Sequence, residues 1–173
     1  MRETALFVLA ALCIVSPSYA ATTEDATPAF LSQHETSADD VAAIRTLLTT
    51  YTTSVTNHDE AAFEALLLND QVPFSSTSSL VGARANTPQP DTRRYSDFRK
   101  AVFADGARYT QQFYNVHIEQ DGVLAQVSLD FVTKDAVTGR GGYGWKTLQL
   151  LKVQGHWKIA SEFYTGRSLP NPS

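Results

Sequence analysis

Two short patterns in this 173-residue chain carry residue types that chemistry needs. His117 lies between Val116 and Ile118, and if those two face a core, strand alternation sends His117 and Asn115 to the opposite side of the sheet. A neutral imidazole there is a candidate general base, and its partner would be Asp130, which lies between Leu129 and Phe131 and so faces outward as well. The second pattern, Gly139-Arg140-Gly141-Gly142-Tyr143-Gly144, has the glycine spacing of a dinucleotide-binding turn. That turn works only when a helix follows at once and offers its amino end to the pyrophosphate. Here Trp145 to Val153 alternates like a strand, so the glycines read as a hairpin loop and no cofactor is expected.

Metal and thiol chemistry find no support. His34, His58, His117 and His156 share no ligand spacing, and the single cysteine, Cys13, lies in an apolar run near the amino end. That run, Ala5 to Val15, follows Arg2 and leads to Ser18-Tyr19-Ala20 before Ala21, the small-x-small pattern of a signal-peptidase site. It is about half the roughly 20 residues that a membrane span needs, so residues 1–20 read as a signal peptide and the mature chain as an exported, periplasmic or secreted protein without a span. Such a chain has no disulfide and depends on packing. The formal net charge is −4, before and after removal of Arg2 and Glu3, which argues against a nucleic-acid surface. The one basic cluster, Arg93, Arg94, Arg99 and Lys100, is interrupted by Asp97 and reads as a solvated face.

A hydrophobic content of 43% supports one domain. Residues 21–38 lack apolar periodicity and read as a flexible tether, and residues 167–173 as a tail. Ser37-Ala38-Asp39-Asp40 has the form of a capping box, and Val41, Ile44, Leu48, Tyr51 and Val55 mark one face of a helix over about residues 39–56. Its other faces are crowded with threonine, so it persists only with its apolar stripe buried. Asn57 is the expected cap of a second helix carrying Phe63, Leu66 and Leu67. Val72-Pro73-Phe74 reads as a short edge strand, residues 75–95 as either a lid or a disordered loop, and Ser96 as the cap of a third helix with Phe98 and Val102 inward. Four antiparallel strands follow, over residues 109–119, 123–134, 143–153 and 157–165, the last two joined at Gln154-Gly155. The class is α+β, with helices grouped on one face of the sheet.

This order over residues 39–165 resembles the nuclear transport factor 2-like superfamily, as do the Asn57-His58-Asp59 junction, the Asp121-Gly122-Val123-Leu124-Ala125 turn and the Gln154-Gly155-His156-Trp157-Lys158-Ile159 hairpin, which look like those of SnoaL-like members. The resemblance implies a cystatin-like cone, with three N-terminal helices packed on a strongly curved, mostly antiparallel sheet. It also implies a pocket. In the ketosteroid isomerases of that superfamily a tyrosine on the first helix donates to an enolate, and the matching position is Tyr51. The base expected on the first strand is missing from Phe74-Ser75-Ser76, and Lys146 stands near the position of the second acid, so steroid-isomerase chemistry does not carry over.

Pairing across Gln154-Gly155 would put Leu150 beside Ile159, Leu148 beside Ser161 and Lys146 beside Phe163 on the inner face. Trp145 beside Tyr164, Thr147 beside Glu162 and Leu151 beside Lys158 would face outward. Family members often pair through this outer surface, so a homodimer burying Trp145 and Tyr164 is expected. Tyr51, Phe63, Phe113, Lys146, Leu148, Trp157 and Phe163 are the expected lining of the cone. Since no acid–base pair converges, the leading reading is a module that binds a small, largely apolar molecule. The alternatives are a cofactor-independent lyase, isomerase or cyclase that stabilises an enolate with Tyr51 and Lys146, and a non-catalytic protein-binding dimer whose cone is filled by Phe63, Phe113, Trp157 and Phe163.

Overall fold

The first long helix begins where the sequence supplies a cap: in the computed structural model the Ser37 hydroxyl accepts from the amide of Asp40, and α1 runs from Ala38–Asn57. The structure describes residues 28–32, 34–77, 93–104, 106 and 108–170. The expected signal peptide, much of the tether and the centre of the 75–95 segment lie outside them. The stretch up to Ser32 is a unit by itself, with a 3-10 turn at Ala29–Ser32, and all that follows concerns residues 33–173.

Ile44, Leu48, Tyr51 and Val55 of the expected stripe are buried and Leu47 joins them, while Val41, expected to begin the stripe, is half-buried. The threonine hydroxyls on the other faces turn back to their own helix: Thr46, Thr49 and Thr50 each donate to the carbonyl four residues before, at 3.0 Å. His58 ends α1 in the left-handed conformation, at φ 59°. Asp59, rather than Asn57, then caps α2 (Glu60–Glu64) by accepting from the amide of Ala62 at 3.0 Å. β1 (Phe74–Ser76) follows. The third helix, α3 (Tyr95–Arg99), starts two residues earlier than expected, capped at Arg94 rather than Ser96, with the Asp97 carboxylate accepting from the Arg94 amide, and passes into a π-helical turn at Lys100–Ala104.

The expected four antiparallel strands form as β2 (Tyr109–Asp121), β3 (Leu124–Asp135), β4 (Gly141–Val153) and β5 (His156–Tyr164). The sheet is larger than that. Its order is β1-β5-β4-β3-β2, with β1 parallel to β5, and β6 (Arg167–Ser168), in the stretch read as a tail, pairs with β4. At the β4–β5 turn Gln154 and Gly155 both have positive φ, 50° and 81°, the primed geometry that matches strand twist. Trp145 to Val153 is strand, so the glycines before it open a hairpin and not a phosphate-binding helix. Among the described residues, no helix is long and apolar enough to cross a membrane and no side-chain cluster could hold a metal ion.

α1 and α2 pack on the inner face of this sheet, and the space between is filled by rings. Phe63 lies 5.0 to 5.8 Å, centroid to centroid, from Tyr95, Phe98 and Phe103, and Phe74 lies 5.0 Å from Phe98. These offset and edge contacts each add about 1 kcal/mol beyond the area they bury.

The start of α1 is tied to the sheet by one carboxylate. Asp40 accepts from Lys152 Nζ at 2.6 Å, from Trp157 Nε1 at 3.2 Å and from Gln120 Nε2 at 2.9 Å, joining the first turn of α1 to β4, β5 and β2. The Lys152 bond, above all, holds the Asp40 carboxyl below the usual aspartate range. A depressed folded pKa contributes stability that is present above the unfolded value and is lost as pH falls through the folded one. Asp40→Asn should therefore melt below the wild type from about pH 8 down to about pH 5, and the gap should narrow toward about pH 2. A gap that stays constant across that range would show that Asp40 is not the titrating tie.

Candidate functional site

Alternation along β5 buries Trp157 and Ile159, and strict continuation would bury Ser161 and Phe163 on the same side. The register breaks between. Leu150 stands opposite Ile159 and Leu151 opposite Lys158, as expected, but Gln149 stands opposite Ser161, so Ala160 is one residue too many and β5 carries a bulge. Beyond it every side chain changes face. Glu162 comes opposite Leu148, Phe163 opposite Thr147 and Tyr164 opposite Lys146. Three expectations fall for this single reason: Phe163 lies outside and is 47% exposed, Tyr164 turns inward against Phe131 at 5.8 Å, and Glu162 enters the core.

What Glu162 meets there is Lys146 and Tyr51. Lys146 Nζ lies 2.7 Å from Glu162 Oε1 and donates to the Tyr51 hydroxyl at 2.9 Å, and that hydroxyl donates to Glu162 Oε2 at 2.8 Å. The ring of contacts is closed. The side chains of Lys146 and Glu162 are 3% and 1% exposed, and Tyr51 is fully buried. The ammonium also lies 4.6 Å from the ring centre of Tyr51, 5.1 Å from that of Phe131, 5.4 Å from that of Phe113 and 5.7 Å from that of Tyr164. A desolvated cation gains from each ring face it meets.

Burial pulls the Lys146 pKa down, and the Glu162 charge opposes that pull. The Tyr51 hydroxyl is pushed well up, first by burial and then by the Glu162 charge, so it stays protonated and acts as a donor. The sequence-derived pairing of Tyr51 and Lys146 is thus real, but Glu162 already occupies both donors. A free oxyanion hole for an enolate would need them unpaired.

The other expected residues divide. Phe63, Leu148 and Trp157 are buried in the core, and Phe113 is half-buried beside Tyr51, at 5.1 Å between ring centres. His117 is exposed and stands opposite Ser128, past a second bulge between Tyr114 and His117. Asp130, its expected partner, stands opposite Tyr114 and accepts from Asn115 Nδ2 at 2.6 Å, so no His117–Asp130 pair forms. Glu162 was the residue missed, yet it had a signal: a lysine on an inward position of β4 demands a counter-charge, and Glu162 is the one acidic residue in β5.

A cleft of about 630 Å³ lies on the outer face of the sheet, walled by Tyr114, Val132, Tyr143 and Trp145, with Asp130 and Arg167 at its polar edge. Gly144 also lines the cleft and has no room for a side chain, since a Cβ there would stand 1.9 Å from the Thr165 carbonyl. A second groove of about 340 Å³ lies between α1 and β2, with Arg45, Thr49 and Thr52 along it and Phe113 at its base.

Removing one member of a buried ion pair costs about 3–5 kcal/mol, because the other is left charged and unpaired. Urea unfolding of Lys146→Met and of Glu162→Gln should each show a loss of that order. The double variant should lose about 2 kcal/mol less than the sum of the two. Additive losses would show that the charges do not act as a pair.

No protein-family model matches this chain, and no curated protein matches it. Solved structures do. A protein of unknown function with a cystatin-like fold from Nostoc punctiforme is 14% identical, with a TM-score of 0.59, and the match covers 77% of this chain and 95% of that one. A nuclear transport factor 2-like protein of unknown function from Shewanella baltica is 16% identical, with a TM-score of 0.56 over 79% of this chain and 99% of that one. A putative scytalone dehydratase from Novosphingobium aromaticivorans is 15% identical, with a TM-score of 0.58 over 78% and 89%. At such identities the likeness concerns architecture alone, and with the helices packed on one mixed six-stranded sheet it gives this chain a cystatin-like fold.

Proposed function

We propose that this chain binds a small, largely apolar molecule, and that it does so in the cleft on the outer face of the sheet and not in the middle of the cone. The cleft carries the reading. Its volume of about 630 Å³ lies within the range of about 300–1,000 Å³ typical of ligand sites, and its walls are aromatic with a few polar groups at the rim. The cone interior offers less, because Phe63, Phe74, Tyr95 and Phe98 pack against one another there and the polar tips of Tyr51 and Lys146 are taken by Glu162.

Trp145 is a built-in reporter, since it is 51% exposed on the cleft wall while Trp157, the other tryptophan, is buried. A probe such as 2-naphthol should quench Trp145 emission saturably, and Tyr143→Ala should weaken that binding about tenfold, as truncation of an aromatic anchor does. Quenching that Tyr143→Ala leaves unchanged would put the probe elsewhere and end this reading.

A second reading concerns assembly. Trp145 and Phe163, 51% and 47% exposed, stand on the outer face two positions apart in register, Phe163 being opposite Thr147. Two exposed aromatic rings side by side on a sheet face are an association surface, so as the alternative to an open cleft at Trp145 we infer that two copies pair there, through Phe163 in place of the Tyr164 expected from the sequence. Phe163→Glu does not touch the cleft wall and should convert a dimer to a monomer in sedimentation velocity. A wild-type chain that sediments as a monomer at all concentrations removes the pairing.

A further inference from the structure

The outer-face cleft holds two opposite charges that the binding of an apolar body does not use. Asp130 of β3 stands directly between Tyr114 of β2 and Trp145 of β4, so the three side chains form one row across the sheet. Arg167 of β6 stands opposite Tyr143, two residues along β4 from Trp145. Among the described residues neither charge belongs to an ion pair, and the Asp130 carboxylate accepts one side-chain hydrogen bond, from Asn115 Nδ2 at 2.6 Å. The bulge in β2 is what places Asn115, at φ 50°, in the cleft beside Tyr114, and a bulge beside a site commonly serves to re-aim a side chain toward it.

Asp130 and Arg167 flank β4 on its two sides and are two residues out of line, so with strands about 4.8 Å apart and a rise of about 3.4 Å per residue their backbones are about 12 Å apart. Trp145 and Tyr143 lie between them. With an aspartate and an arginine reaching in from the two ends, the interval left over them suits one aromatic ring that carries a charged group at each end. We propose that the ligand of this cleft is an aromatic zwitterion, whose ammonium sits on Asp130 between the rings of Tyr114 and Trp145, whose ring lies on Trp145 and Tyr143, and whose carboxylate is held by Arg167. This rests on the reading of the cleft as a small-molecule site and adds the charges its ligand carries. An ammonium on Asp130 meets a carboxylate and two ring faces together. A guanidinium can hold the carboxylate through two parallel N–H bonds. A neutral aromatic molecule would strip water from both side-chain charges and pair neither, which costs affinity. A simple amine would bring its charge toward Arg167, and a simple acid toward Asp130, so each meets a like charge that the zwitterion balances.

Calorimetric titration of the full chain at neutral pH and low salt tests the proposal, with 4-(aminomethyl)benzoic acid as the zwitterion and benzylamine and benzoic acid as its two halves. The zwitterion should bind about fivefold tighter than either half, the scale of one partly exposed ion pair, and should displace 2-naphthol from Trp145. Asp130→Asn should bring its affinity down to that of benzoic acid, and Arg167→Gln down to that of benzylamine, with circular dichroism showing that each variant is folded. A zwitterion that binds no tighter than its halves while 2-naphthol still quenches Trp145 overturns the charge assignment and leaves the cleft as a site for neutral aromatic molecules. Tight binding that both substitutions leave unchanged puts the zwitterion elsewhere and overturns the assignment as well. Absence of 2-naphthol quenching removes the reading of the cleft beneath it.

Discussion

A lysine and a glutamate share the middle of this core with a tyrosine hydroxyl between them, and the arrangement of helix and sheet around them follows from the need to keep them together. Each charge would cost several kcal/mol if buried alone. Together they are neutral, their strong hydrogen bonds are saturated, and the rings of Tyr51, Phe113, Phe131 and Tyr164 stand where water would otherwise solvate the ammonium. Tyr51 comes from α1, Lys146 from β4 and Glu162 from β5, so the triad sets the helix in one place on the sheet. A helix slid by one turn would take its hydroxyl away from both charges.

Two bulges make this possible. Without Ala160 as an extra residue, β5 would send Phe163 inward and Glu162 to solvent, leaving Lys146 without a counter-charge. The bulge exchanges an aromatic ring for a carboxylate inside and leaves Phe163 exposed outside, where it lies near Trp145. The bulge between Tyr114 and His117 acts similarly at the other side of the sheet: it brings Asn115, at φ 50°, within reach of Asp130 and sets His117 apart. Bulges bend and twist a strand locally. The aromatic cleft lies on the outer face, and the bulge in β2 presents Tyr114 and Asn115 to it.

The sequence determines most of the framework by itself. The Ser37 cap, the stripe of Ile44, Leu48, Tyr51 and Val55 with Val41 half-buried at its start, the four antiparallel strands and the Gln154-Gly155 turn are local signals, each set by backbone chemistry or by the period of apolar residues, and they appear close to where they were expected. Two candidate site residues, Tyr51 and Lys146, were also legible, from the matching positions of a related fold. Glu162, and with it the true faces of Phe163 and Tyr164, was decided only by the tertiary structure. A bulge leaves no mark in composition or periodicity: Ala160 looks like any strand residue, and one inserted position reverses every face beyond it. The choice between the two registers is made by the energy of leaving Lys146 unpaired, and that energy exists only once β4, β5 and α1 have come together.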